Sequence, residues 1–114
     1  MGRPMAVYKI LRASEWEAFQ AAGRTAGTPI DLQDSFIHLS TAAQVEETAA
    51  RHFVGVPDLM LLAVDEVGLA PELRWEPSRG GALFPHLFRE LRAEDILWFA
   101  PLPLDGGRHR FPPL

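Results

Sequence analysis

The chain contains no cysteine. Disulfides, thiolate nucleophiles, iron–sulfur clusters and cysteine zinc sites are therefore excluded. Lysine is almost absent too: Lys9 is the only one among the 11 basic residues, and the rest are arginine. An arginine-rich chain suits forked recognition of phosphate, although genomic base composition explains the same bias more simply. No apolar run approaches the ~20 residues that a membrane-spanning helix needs. Arg3 is not followed by the apolar segment of a secretory signal. The reading is a cytoplasmic chain without membrane contact. A broadly positive surface is also missing, since the net charge is −4 and the pI about 5.5. That argues against non-specific nucleic-acid binding and leaves room for a local positive pocket for a phosphorylated small molecule.

What is present fits one globular domain over residues 1–114. The 114 residues, 47% hydrophobic and 23% charged, suffice for one modest core. That core is expected over about 5–103, with 104–114 as a proline-rich extended tail. The first strand is read at Met5 to Leu11. A capping box from Ser14 to Glu17 opens a short helix that Gly23 ends. Residues 24–33 follow Gly23, carry Gly27 and Pro29, and read as a loop. A strand at Phe36 to Ser40 leads into a second helix, Ala42 to Phe53, opened by a capping box of Thr41 and Gln44. Val45, Ala49, His52 and Phe53 share one face of that helix. Leu59 to Val64 is an unbroken apolar run, expected to lie buried on both faces in the middle of a sheet. Strands at 73–76 and 96–100 follow. Helices come early and strands dominate late, which makes the class α+β with two short helices.

The polar chemistry gathers in three places. In the strand Phe36 to Ser40, alternation sets Ile37 and Leu39 against the core and turns Phe36, His38 and Ser40 the other way. An aromatic ring, an imidazole and a hydroxyl on one face, beside a helix start, suit an anionic ligand. A histidine hydrogen-bonded under a loop is the plain alternative. In Arg74-Trp75-Glu76 the same alternation separates Arg74 and Glu76 from Trp75, which is expected on the core side. Arg74 offers a phosphate fork and Glu76 its orienter or a general base, while a surface ion pair is the plain alternative. Third, the loop from Ser78 to His86 holds Arg79, Gly80 and Gly81, whose backbone amides can approach a ligand closely. It is not a phosphate-binding P-loop, because the Lys-Ser/Thr pair is missing. It reads as a lid closing on His86 or as a hairpin turn. His52 reads as a satisfied core or pocket-edge histidine and His109 as solvated. The four histidines have no compact metal-ligand spacing, so no metal site is expected.

These residues carry a resemblance. Asp34-Ser-Phe-Ile-His-Leu-Ser-Thr41, Thr48-Ala-Ala-Arg-His-Phe53, and Leu73-Arg-Trp-Glu-Pro77 with Phe84-Pro-His86 resemble a bacterial family, domain of unknown function 952, from the first strand to Pro103. The resemblance implies a small split mixed or antiparallel sheet similar to that of ADP-ribosyltransferases, which grip NAD between the two halves. In that group an early strand supplies a His or Arg that holds the nicotinamide ribose, a role implied for His38. The catalytic Glu of the group lies on a late strand, and Glu76 is the candidate for it by chemistry. Some relatives replace that Glu by Arg and His to act on an RNA 2′-phosphate, which Arg74 and His86 would suit.

The leading expectation is an ADP-ribosyl-transfer-type enzyme with NAD as substrate and no certain cofactor. His38, Glu76 and His86 would be catalytic. Phe36, Ser40, His52, Arg74, Arg79, Gly80 and Gly81 would bind the ligand. A non-catalytic module for a nucleotide or another small anion is the alternative. A metal-dependent enzyme using His38, His52 and His86 is a third. The sequence names no protein partner.

Overall fold

The computed structural model describes residues 6–114, with Arg79 described by its backbone alone. Met5, expected to begin the first strand, lies outside the described residues. Strand β1 (Ala6–Leu11) leads into α1 (Ala13–Ala22), β2 (Arg24–Thr25), α2 (Pro29–Asp34) and β3 (Ile37–His38). Then come α3 (Val45–His52), β4 (Leu59–Asp65), α4 (Glu66–Leu69), β5 (Leu73–Pro77), β6 (Leu83–Leu87) and β7 (Leu91–Arg92). Strand β8 (Ile96–Leu102) and a hairpin of β9 (Leu104–Asp105) and β10 (Arg108–His109) end the chain.

The apolar run in β4 explains its place. It is the middle strand of a three-stranded antiparallel sheet ordered β1-β4-β8. Leu62 and Val64 pack with Val7, Leu11, Phe19, Ile37 and Leu87 in one cluster. Leu59, Leu61 and Ala63 pack with Tyr8, Ile10, Leu102 and the α3 residues Val45 and Ala49 in another. Both faces are covered, so no polar alternation is needed. The expected α3 face is present, with Phe53 partly buried against the same cluster.

A second antiparallel sheet, ordered β3-β6-β5, turns Ile37 and Leu87 into the first cluster. On its other face, His38 stands opposite His86, and His86 opposite Arg74. Directly opposed residues project to the same side, so His38, His86 and Arg74 form one row. The two sheets meet at an isolated bridge, with Tyr8 N–H on the Ser40 carbonyl at 2.7 Å and Ser40 N–H on the Tyr8 carbonyl at 2.9 Å.

Several local expectations are corrected. The helices number four rather than two among the described residues. The segment read as a loop over 24–33 contains β2 and most of α2, because Thr28-Pro29-Ile-Asp31 is a helix start: Pro29 has no N–H to lose at the first turn, and the Asp31 carboxylate accepts the Thr28 N–H at 2.9 Å. Helix α1 begins before Ser14, with Glu15 rather than Glu17 accepting the N–H of residue 12 at 2.8 Å. Helix α3 starts at Val45, since residues 42–44 form a turn, though Gln44 does accept the Thr41 N–H at 3.0 Å. The glycine loop is the hairpin turn between β5 and β6, closed by Ser78 N–H on the Ala82 carbonyl at 2.9 Å. Gly80 and Gly81 sit at φ 67° and 81°, a region that a Cβ disfavours. Trp75 is 40% exposed and does not face the core. The segment expected as an extended tail instead forms the β9–β10 hairpin, and His109, expected in solvent, donates from Nε2 to the Val56 carbonyl at 2.8 Å.

These burial differences set a stability contrast. Leu62→Ala should cost about 2–5 kcal/mol, the range for truncating a leucine in a closed core, whereas Trp75→Ala should cost less than ~1 kcal/mol as an exposed change. Urea unfolding of both variants checks it. Comparable losses would mean that the second sheet buries the Trp75 side.

Candidate functional site

Tyr8 and Ser40 are the only bridge between β1 and β3 among the described residues. Beside that bridge a cavity of about 820 Å³ lies open to solvent. The first sheet contributes Tyr8, Lys9 and Ile10, the second His38 and His86. Helix α3 adds Thr48 and His52, followed by Phe53, and the start of α2 adds Thr28, Ile30 and Asp31. The size lies within the roughly 300–1,000 Å³ of small-molecule sites. Tyr8, Ile10, Phe53 and Phe84 supply apolar wall, and Ser40, Thr48 and three imidazoles supply polar groups.

A buried ion network lies beneath it. Lys9 Nζ donates to Asp31 Oδ2 at 2.7 Å and to the His38 carbonyl at 3.0 Å. The same Asp31 oxygen accepts the Thr28 N–H. Its other oxygen accepts the His38 N–H at 3.0 Å and faces His38 Nδ1 at 2.6 Å. Asp31 is 1% exposed and Lys9 6%. Burial alone would raise the Asp31 carboxyl. The hydrogen bond from His38 and the charge of Lys9 outweigh it and hold the group well below the ordinary range. Burial pulls the Lys9 ammonium down, with Asp31 opposing. Neither Lys9 nor Asp31 stood out in the sequence. The signals were present as a lone lysine in an apolar strand and an Asp three residues after a threonine cap.

The far side of the His38 ring meets a second carboxylate, with Nε2 at 3.0 Å from Asp34 Oδ2. An ionised carboxylate only accepts, so the ring satisfies both partners when each nitrogen carries a proton. His86 is different. Its Nδ1 lies 2.7 Å from Glu76 Oε1, and its Nε2 has no hydrogen-bond partner among the described residues. The two imidazoles stand edge to face with ring centres 5.4 Å apart.

The residues expected at the site are divided by the structure. His38, Ser40, His52 and His86 line the cavity, and Ser40 Oγ pairs with Thr48 Oγ1 at 3.0 Å. Glu76 reaches the site through His86. Phe36 stacks on His86 at 4.2 Å and lies 4.6 Å from His38, bracing both rings without lining the cavity. Arg74 lies apart from the cavity, with its guanidinium 4.9 Å from the Phe88 ring centre, and Gly80 and Gly81 face solvent at the hairpin tip. The side chain of Arg79 lies outside the described residues. Arg12 was not expected at the site, but it lines the cavity and rests over Phe53 at 4.8 Å. Among the described residues no three His, Asp or Glu are grouped to hold a metal ion. No helix there is long and apolar enough to cross a membrane.

Two antiparallel sheets meeting at a single bridge, with a His–carboxylate site beside it, define a small α+β protein with a built polar cavity. The chain belongs to the family described as protein of unknown function DUF952, whose pattern matches residues 10–99. It is similar to protein CC0527 from Caulobacter crescentus. The X-ray structure of that protein is 48% identical over 92% of this chain and 93% of that one, with a TM-score of 0.89. Its solution NMR structure is also 48% identical, over 91% and 90%, with a TM-score of 0.81. No curated protein matches the chain.

The Asp31 network sets the acid behaviour. Because the folded-state carboxyl titrates below its unfolded value of about 3.9, its stabilisation is complete above roughly pH 5 and is lost as pH falls through the folded titration. Asp95, lowered by Arg89 against the effect of burial, acts with the same sign. Asp31→Asn should cost about 3–5 kcal/mol near pH 7 by leaving Lys9 buried without its charge partner. Denaturant unfolding at pH 7 and pH 3 should show the gap to wild type narrowing in acid. A gap that is constant with pH would contradict the network.

Proposed function

We propose that this cavity binds a nucleotide-like small molecule, NAD first among candidates, and that the protein is an ADP-ribosyl-transfer-type enzyme. The observation that carries the reading is the position of His38. A strand histidine clamped by Asp31 lines an 820 Å³ cavity beside the one bridge between two sheets. That is the place where the resemblance to ADP-ribosyltransferases puts the residue holding the nicotinamide ribose. The apolar wall of Tyr8, Ile10, Phe53 and Phe84 suits a flat ring, and Ser40 and the imidazoles suit ribose hydroxyls. Lys9 is neutralised within the network, so among the described side chains Arg12 is the guanidinium that lines the cavity and could meet phosphate, while Arg74 lies apart from it.

A non-catalytic binding module is the second reading. It is favoured by the engagement of both His38 nitrogens with carboxylates, which leaves neither nitrogen open toward a ligand.

Titration calorimetry with NAD, ADP-ribose and nicotinamide tests the first reading, and nicotinamide release separates it from the second. Arg12→Ala should weaken NAD binding by roughly 1.5–3 kcal/mol, the range for hydrogen bonds to charged groups, while Arg74→Ala should change it by less than ~0.5 kcal/mol. Affinity should also fall with salt, because Arg12 is partly exposed and screening acts over ~10 Å at 0.1 M. Failure of all three ligands to bind below millimolar would end the NAD reading. Binding without any release of nicotinamide would favour the module.

A further inference from the structure

We propose that His86 is the general base of this site, with Glu76 as its positioning residue, and that the group it activates is a hydroxyl, from water or an alcohol. The proposal rests on the reading that the cavity takes NAD.

The assignment follows from the hydrogen bonds of the imidazoles and carboxylates on and beside β3 and β6. His38 has a carboxylate at each ring nitrogen, so neither nitrogen is open to a substrate hydroxyl. The Asp31 carboxylate is already filled by Lys9, Thr28 and His38. Glu76 does not line the cavity, and one of its oxygens is held by His86. His109 is tied to the Val56 carbonyl away from the site. His86 is 5% exposed and lines the cavity. Its Nδ1 faces Glu76, an acceptor, which selects the tautomer with the proton on Nδ1 and the lone pair on Nε2. That nitrogen has no partner among the described residues. A carboxylate holding one imidazole nitrogen while the other accepts a proton is the arrangement that activates hydroxyl nucleophiles. Phe36, stacked on the ring at 4.2 Å, prevents it from turning away.

The step balances as follows. The oxygen of the hydroxyl forms a bond to C1′ of the nicotinamide ribose as its proton passes to His86 Nε2. The C1′–N bond breaks, its electron pair goes to the pyridinium ring, and nicotinamide leaves neutral. The imidazolium then gives its proton to solvent. Water as the nucleophile yields ADP-ribose, and an alcohol yields its ADP-ribosyl O-glycoside.

The test uses the full chain with NAD, in buffer and in buffer containing methanol. Nicotinamide release, ADP-ribose and its methyl glycoside are measured for wild type, His86→Gln, His86→Asn and Glu76→Gln. ADP-ribose calorimetry shows which variants still fold and bind. His86→Gln or His86→Asn, whichever binds, should lose ~100-fold or more of the release rate, within the range for a general base. Glu76→Gln should lose ~10–100-fold, as for a residue that orients another. Long-range ¹⁵N–¹H spectra of the wild-type imidazoles give an independent reading. They should show His86 protonated on Nδ1, and that preference should be lost in Glu76→Gln. Methyl glycoside beside ADP-ribose would assign alcohol acceptors, and ADP-ribose alone would assign water. A wild-type His86 protonated on Nε2, or a binding His86 variant that releases nicotinamide at the wild-type rate, overturns the assignment while leaving the NAD reading intact. A wild type that binds NAD but leaves it whole overturns the assignment and the transfer reading while leaving NAD binding intact, and a wild type that does not bind NAD overturns all three.

Discussion

The structure depends on one buried carboxylate. Asp31 accepts from the side chain of Lys9 on β1, from the backbone of Thr28 at the start of α2, and from both the backbone and the ring of His38 on β3. Strand β1, the start of α2 and strand β3 are thus held at one point. Taking two ions out of water costs several kcal/mol each, and that cost is offset only when the remaining donors and lone pairs are also satisfied. Here they are: Lys9 spends a second proton on the His38 carbonyl, and both Asp31 oxygens are used.

That last bond gives the network an architectural role. Among the described residues, β1 exchanges backbone hydrogen bonds with the segment after β3 only at Tyr8 and Ser40. One residue further along β1, the chains are linked by the Lys9 side chain instead of by a ladder. A side chain reaches farther than a backbone amide, so the sheets stay joined while space opens beside them. The cavity and the hydrogen-bonded link between its walls therefore have the same origin. The ion network also sets the orientation of His38, and Phe36 and Glu76 do the equivalent for His86. The two rings face each other with fixed and unequal hydrogen-bonding states, and that inequality allows them different chemical roles.

How much could be read in advance varied with the range of the interaction. The burial of β4 on both faces was legible because an unbroken apolar run has few alternatives, and Ile37 and Leu39 followed from strand alternation. The row of His38, His86 and Arg74 on one sheet face needed the register of β3, β6 and β5, although alternation did separate each from its apolar neighbours. Trp75 broke the same rule. Its strand is an edge whose second face is incompletely covered, and hydrophobicity alone does not tell which edge positions find a partner. Helix α2 was missed because Gly23 and Gly27, just ahead of it, masked its Thr-Pro start.

By itself the sequence determined the α+β class, the central strand, the helix face of Val45 and Ala49, and the absence of cysteine chemistry, because these rest on composition and local periodicity. It also drew attention to His38, His86 and Glu76. Only the tertiary structure decided that Lys9 and Asp31 underlie the site, that Arg12 lines it while Arg74 stands apart, and that Glu76 acts on His86. A side chain's hydrogen-bond partner depends on contacts between segments far apart in the chain. Lys9 and Asp31 are separated by 22 positions and Glu76 and His86 by 10, and no local pattern encodes which oxygen will meet which nitrogen.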